Sequence, residues 1–296
     1  MAEQLIARVS QLGAESFTRD YRRRGRPVIV TQEPTLATVA SNWSLDYLLS
    51  KHPGHRVAVE HYPTGDRSLF GSRIDMELAE YVDLIRRDPD SRSRYYLADV
   101  DVAAVFPQAA PEIAVPPMIS DMKMSDITTF VGIDTFTNAH YHSTPMEGVL
   151  TQLCGTKQMI LWPPQEYQRL NPYPFYSPYC NWSQFVMCDR AFSPSSIAAT
   201  RYEFVLEPGQ MLFIPQGWIH VARGMGESVS VSYFFRGSWL HAHPAIAARD
   251  LASHVQKKML SWLLSPPLGR NRRYARAVLR IAGAMGMLPK QEIQPL

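Results

Sequence analysis

The sequence predicts a mainly β protein with helical additions, and three observations carry that expectation. Short apolar or alternating runs such as Pro27-Val-Ile-Val-Thr31, His55-Arg-Val-Ala-Val-Glu-His61 and Met211-Leu-Phe-Ile214 recur between turn-forming residues. Helical periodicity before residue 240 is confined to short pieces. From about residue 240 the pattern changes to two helical stretches, 245–264 and 271–287, separated by Ser265-Pro-Pro-Leu-Gly269. A chain of 296 residues can form one large all-β domain with helical additions or two smaller domains. No linker and no internal repeat is visible, so residues 1–239 are expected to form one domain and residues 240–296 a C-terminal helical extension.

Composition excludes several classes. With 46% hydrophobic and 19% charged residues the chain has ample material for a core. A net charge of +3 is too mild to argue for nucleic acid. Cys154, Cys180 and Cys188 show no CxxC spacing and leave one unpaired in any disulfide scheme, so a reduced, cytoplasmic compartment is expected. The first residues lack an apolar signal core, and no run approaches the ~20 apolar residues of a membrane span. The expectation is a soluble protein with no membrane partner.

Taken in order, residues 1–25 read as a short helix ending in Arg22-Arg-Arg-Gly-Arg26, best understood as a solvated entry to the strand at Pro27. Asn42-Trp-Ser44 is an N-cap signal for a helix from Leu45 to Lys51, ended by Pro53-Gly54. Residues 76–87 read as a helix with Leu78, Tyr81, Val82 and Ile85 on its apolar face. The stretch from Val149 to Pro164 reads as two strands joined at Gly155, and residues 165–200 as a long Pro-, Tyr- and Ser-rich loop.

The candidate chemistry lies in Thr137-Asn-Ala-His140-Tyr-His142-Ser-Thr-Pro-Met-Glu147 and in Gly209-Gln-Met-Leu-Phe-Ile-Pro215-Gln-Gly217-Trp-Ile-His220. Side chains two apart on a strand share a face, so His140 and His142 point one way. In the second stretch a buried strand runs into a Pro-Gln-Gly turn, and His220 opens the next strand. A lone histidine on an apolar strand is usually a core or surface residue. Three in two matching turn–strand contexts point instead to imidazoles closing on one metal ion.

These motifs resemble those of the cupins. Glycine, His-x-His, a downstream Glu and glycine follow the first cupin motif with stretched spacers, and Gly209-x5-Pro215-x-Gly217-x2-His220 follows the second, with Gly224 where Asn is usual. The wide gap between them, and the order Arg-Pro-Val-Ile-Val, Trp-Ser with a helix, then Tyr-Tyr-Leu, resemble the JmjC-like, cupin-like Fe(II)/2-oxoglutarate-dependent hydroxylases. Leu170-Asn-Pro-Tyr-Pro174 is similar to a loop of the asparaginyl hydroxylase that acts on hypoxia-inducible factor. The resemblance implies a double-stranded β-helix (cupin, jelly-roll) barrel with C-terminal helices that form a homodimer. It implies His140, His142 and His220 as metal-binding catalytic residues. Lys157, Thr137 and Tyr96 would hold 2-oxoglutarate, and Ser232 stands where relatives often place Asn.

One departure sets the chemistry. Such relatives carry His-x-Asp or His-x-Glu, and here the carboxylate position is His142. Three imidazoles leave three sites open but give a more positive centre, in which Fe(II) is harder to oxidise. If Glu147 also ligates, as in three-His-one-Glu cupins, only two sites remain and a bidentate keto acid fills them. The leading expectation is an Fe(II)/2-oxoglutarate oxygenase that hydroxylates a peptide side chain or small metabolite, with no nucleic acid partner. The alternatives are a three-His(-Glu) dioxygenase or lyase without keto acid, and a non-catalytic metal-binding cupin.

Overall fold

The computed structural model describes residues 5–65, 71–184, 199–264, 276 and 278–282. Among the described residues there are eleven strands: β1 (Ala7–Val9), β2 (Val28–Val30), β3 (Arg56–His61), β4 (Ser72–Glu77), β5 (Tyr95–Asp101), β6 (Met124–Ile133), β7 (Phe136–His140), β8 (Met146–Trp162), β9 (Tyr202–Leu206), β10 (Met211–Ile214) and β11 (Ile219–Arg236). The long antiparallel strands β8 and β11 organise the rest. Their Met146–Cys154 and Val229–Arg236 halves pair with each other within the order β1-β2-β10-β8-β11-β6-β5-β3-β4. Their other halves, Thr156–Trp162 and Ile219–Met225, lie between β9 and β7. Two facing β layers thus share the same two strands, which is the double-stranded β-helix of a cupin barrel.

The passage from one layer to the other is made at Gly155. Its φ is +67°, and a Cβ there would lie 1.9 Å from the Glu227 carbonyl oxygen, so no other residue fits without moving β11. The segment expected to be two strands is therefore one bent strand. The local sequence shows a breaker, while pairing to β11 on both sides of it keeps the ladder continuous.

Elsewhere the local signals and the structure compare as follows. The helix Leu45–Lys51 is capped by the Ser44 side chain, which accepts from the Tyr47 amide. The helix Leu78–Arg87 buries Leu78, Tyr81, Val82 and Ile85, but Met76 and Glu77 belong to β4, because pairing with β3 extends the strand to the helix start. The expected N-terminal helix is present from Ala14–Ser16 into a π-helix, Phe17–Arg22, that ends at the basic run, but β1, paired parallel to β2, precedes it. The pairing with β2 is non-local and leaves no periodic trace in the first residues. Phe17 and Phe213 pack edge to face in the main core, which Val149, Val231 and Tyr233 of the long strands help to build.

The C-terminal helix Pro244–Leu264 packs against the barrel through Ile246, in a second core cluster with Tyr141, Trp162 and Tyr167. The expected second helix lies mostly outside the described residues. Among the described residues no helix is long and apolar enough to cross a membrane.

Candidate metal centre

β7 and the start of β11 bring the histidines together. His140 pairs with His220 across the ladder, and His142 stands two residues beyond the end of β7 rather than on it. One nitrogen from each of the three lies within 4.8 Å of the others. His140 Nδ1 donates to the Asn138 carbonyl at 2.8 Å, and His220 Nδ1 donates to the Trp218 carbonyl at 3.2 Å. A carbonyl can only accept, so both rings carry the Nδ1 proton and present Nε2 as a lone pair. This is the outer bonding pattern that orients a ligating imidazole.

Burial pushes all three rings below the ordinary histidine value: His142 down to about 3, and His220 well below, with the neighbouring imidazoles adding to the effect. The cluster is thus neutral and competent to ligate. His142 Nδ1 is buried with no hydrogen-bond partner among the described residues. A buried polar atom in that state is costly unless a further group satisfies it, and a divalent cation fits this donor set.

The histidines face a cavity of about 780 Å³ that Tyr96, Thr137, Lys157 and Ser232 also line. Lys157 is buried on β8, and its Nζ donates to Ser230 Oγ at 2.6 Å and lies over the Phe130 ring. No carboxylate pairs with it among the described residues, and burial alone pulls its pKa down to about 7. A buried ammonium compensated only by a hydroxyl is a site for an anion. Sequence proximity had not suggested Ser230, whose role comes from the pairing of β11 beside β8.

Glu147 lies elsewhere. Its carboxylate accepts from Arg22 Nε at 2.7 Å, is 1% exposed, and sits against Gly237. Burial pushes it above the ordinary carboxylate value against the opposing pull of Arg22. The reading of Glu147 as the carboxylate of a three-His-one-Glu set is corrected by this pairing: the start of β8 turns the side chain toward the N-terminal segment, not the cavity. Glu147→Gln should leave metal stoichiometry at one per chain and lower thermal stability, since breaking one partner of a buried ion pair costs about 3–5 kcal/mol. Metal titration with a parallel melting curve checks this; loss of metal would restore Glu147 as a ligand.

Two aromatic rings that local sequence did not single out wall the histidines. Trp182 stacks on His140 with centroids 4.5 Å apart, and Phe234 meets His142 edge-on at 5.0 Å. Trp182 arrives on the Pro- and Tyr-rich loop, held by a bridge to His140 and by the Ser183 amide donating to the Ala139 carbonyl. Residues 185–198 of that loop lie outside the described residues.

A double-stranded β-helix with three imidazoles converging at one cavity defines a metal-binding cupin. The chain belongs to the cupin-like domain family of JmjC-like proteins, whose sequence profile matches residues 14–240. It is 28% identical over 279 residues to tRNA wybutosine-synthesizing protein 4 of Neurospora crassa, covering 85% of this chain and 22% of that one. It is 26% identical over 239 residues to a lysine-specific demethylase of Arabidopsis thaliana, covering 78% and 54%. It is also 23% identical over 248 residues to tRNA wybutosine-synthesizing protein 5 of Danio rerio, covering 75% and 72%. The chain therefore spans only a fifth to about a half of the first two relatives.

Proposed function

We propose that this chain is an Fe(II)- and 2-oxoglutarate-dependent oxygenase that hydroxylates a peptide side chain or a small metabolite. The observation that carries the reading is the pairing, in one cavity, of three neutral imidazoles with a buried lysine that has no carboxylate partner among the described residues. When bound, Fe(II) supplies the redox chemistry that couples decarboxylation of the keto acid by O₂ to oxidation of a substrate C–H bond. His140, His142 and His220 would hold it. Lys157 would pair with the distal carboxylate of the keto acid, with Thr137, Tyr96 and Ser232 offering hydroxyls along the same wall. Trp182 and Phe234 cover one side of His140 and His142. The place of Glu147 in an ion pair weighs against the keto-acid-free three-His-one-Glu alternative.

The cavity lining bears on the substrate. The described lining residues include the acidic Glu60, Asp99, Asp101 and Asp126 against one lysine, Lys157, with the Asp101 side chain also accepting from the Ala104 amide. The Thr128 hydroxyl, also in the lining, is buried with no hydrogen-bond partner among the described residues. This wall favours a substrate bearing an amine or guanidinium over a polynucleotide.

Leu251, Val255, Met259 and Trp262 form an exposed apolar stripe at helical spacing on the Pro244–Leu264 helix, which supports a homodimer through that face. Trp262→Glu should convert a dimer to a monomer in sedimentation velocity, and a wild-type monomer would end the idea.

The activity test is reconstitution with Fe(II) and 2-oxoglutarate, followed by admission of air. Succinate should appear in step with O₂ consumed, accelerated by an amine- or guanidinium-bearing peptide. Iron uptake without succinate would point to a binding protein.

A further inference from the structure

The C-terminal helix touches three of the segments that build the candidate metal centre, and it does so through one face. Ile246, Arg249, Asp250 and Ser253 recur at helical spacing, and all but the partly buried Arg249 are buried. Asp250 is the focus. Its Oδ1 accepts from the Tyr141 hydroxyl at 2.7 Å, and its Oδ2 accepts from the Thr144 backbone amide at 2.6 Å. Tyr141 follows His140 directly, and Tyr141 and Thr144 flank His142. β7 ends at His140, and beyond it Tyr141 is held on one side by Asn181, whose backbone carbonyl accepts from the Tyr141 amide and whose side-chain amide donates to the Tyr141 carbonyl, both at 3.0 Å; the two bonds to Asp250 hold Tyr141 and Thr144 from the helix side.

The other positions on the face reach further segments. Arg249 donates to the Cys180 and Tyr173 carbonyls and lies over the Tyr167 ring, fixing the loop that carries Trp182 onto His140. Cys180 Sγ meets Ser253 Oγ at 3.2 Å. Ile246 packs against Gly217, in the turn that leads into His220, where an added Cβ would stand 3.4 Å from Ile246.

We infer that the C-terminal helix is a brace for the metal centre, and that Asp250 is a positioning residue that sets where His142 stands relative to His140 and His220. The physical reason is the cost of loop freedom. Fixing a backbone residue costs conformational entropy, and a metal site whose ligand sits on an unrestrained segment must meet that cost on binding. Two charge-assisted bonds to a buried carboxylate meet it during folding instead. Outer groups that orient metal ligands typically change metal affinity about 10–100-fold.

The inference rests on the reading of the three histidines as metal ligands, and its test separates the two. Co(II) is titrated into the full-length wild type, Asp250→Ala, Asp250→Asn and Tyr141→Phe, following the visible d–d bands, with melting curves in parallel. Asp250→Ala should weaken Co(II) binding about 10–100-fold and change the band pattern. Asp250→Asn should recover most of it, because the amide oxygen can accept from Thr144 while the amide NH₂ donates to the Tyr141 oxygen. Tyr141→Phe, which keeps the ring packing, should weaken binding less than Asp250→Ala.

Hydrogen exchange of residues 141–146 in the metal-free chain gives a second readout. It should quicken in Asp250→Ala and Tyr141→Phe while amides of β10 stay protected. If the variants bind Co(II) with wild-type affinity and spectrum, whatever their melting points, the brace is overturned. A wild type that binds no Co(II) sinks the metal-site reading. In that case the exchange data alone judge the brace, and unchanged exchange at 141–146 refutes it.

Discussion

Alanine at His140 or His220 abolishes stoichiometric metal uptake, with Fe(II) or Co(II) affinity falling by more than about 100-fold, since loss of even an outer orienting group costs about 10–100-fold. The two residues face each other across the β7–β11 ladder, each with Nδ1 tied to a backbone carbonyl. Neither position can be supplied by a neighbour. His142→Ala should lose affinity as well, and His142→Asp should keep uptake while making the bound iron easier to oxidise, because a carboxylate offsets the cation's charge. Metal analysis after desalting checks all four variants. Retained stoichiometric iron in His140→Ala or His220→Ala would show that the metal sits elsewhere.

The second large effect concerns Lys157. Lys157→Met, which keeps the apolar stem, should weaken 2-oxoglutarate binding by about 30-fold or more, the factor that corresponds to about 2 kcal/mol at the low end for a buried charge pair. Lys157→Arg should rescue poorly, as the bulkier planar fork does not fit a space shaped for a point charge between Ser230 and Phe130.

A pH dependence follows from the same residue. Burial lowers Lys157 from 10.5 to about 7 in the ligand-free chain, and a bound carboxylate raises it again. Binding the anion above pH 7 therefore takes up a proton, and affinity should fall by up to about 10-fold per pH unit as pH rises past that point. For folding the sign is opposite. Between about 7 and 10.5 the unfolded chain holds more of this proton, so the penalty from Lys157 is full below 7 and is relieved as pH rises through that window. Calorimetry in buffers of different ionisation heat measures the uptake, and its absence would remove Lys157 from the anion site.

What sequence made legible was mostly local. The Ser44 cap, the apolar face of the Leu78–Arg87 helix and the buried strand Met211–Ile214 rest on short-range propensity, and the structure repeats them. The three histidines were legible because two strand-and-turn contexts repeat a spacing. Glu147 was not, since spacing alone does not say which side of β8 faces Arg22. Features that depend on distant partners were also hidden. Ser230 reaches Lys157 only through strand pairing, and Asp250 meets Tyr141 from 109 residues away. The break at Gly155 looked like a strand end because the Glu227 carbonyl that demands glycine there lies on another strand.

The most direct test of the central claim, that three histidines and Lys157 form one iron and keto-acid site, is anaerobic reconstitution with Fe(II) followed by 2-oxoglutarate, read by visible absorption. A weak charge-transfer band that appears with 2-oxoglutarate in the wild type, and is lost in Lys157→Met at the same concentration, is the predicted result. Bound iron with no band at saturating 2-oxoglutarate would contradict it.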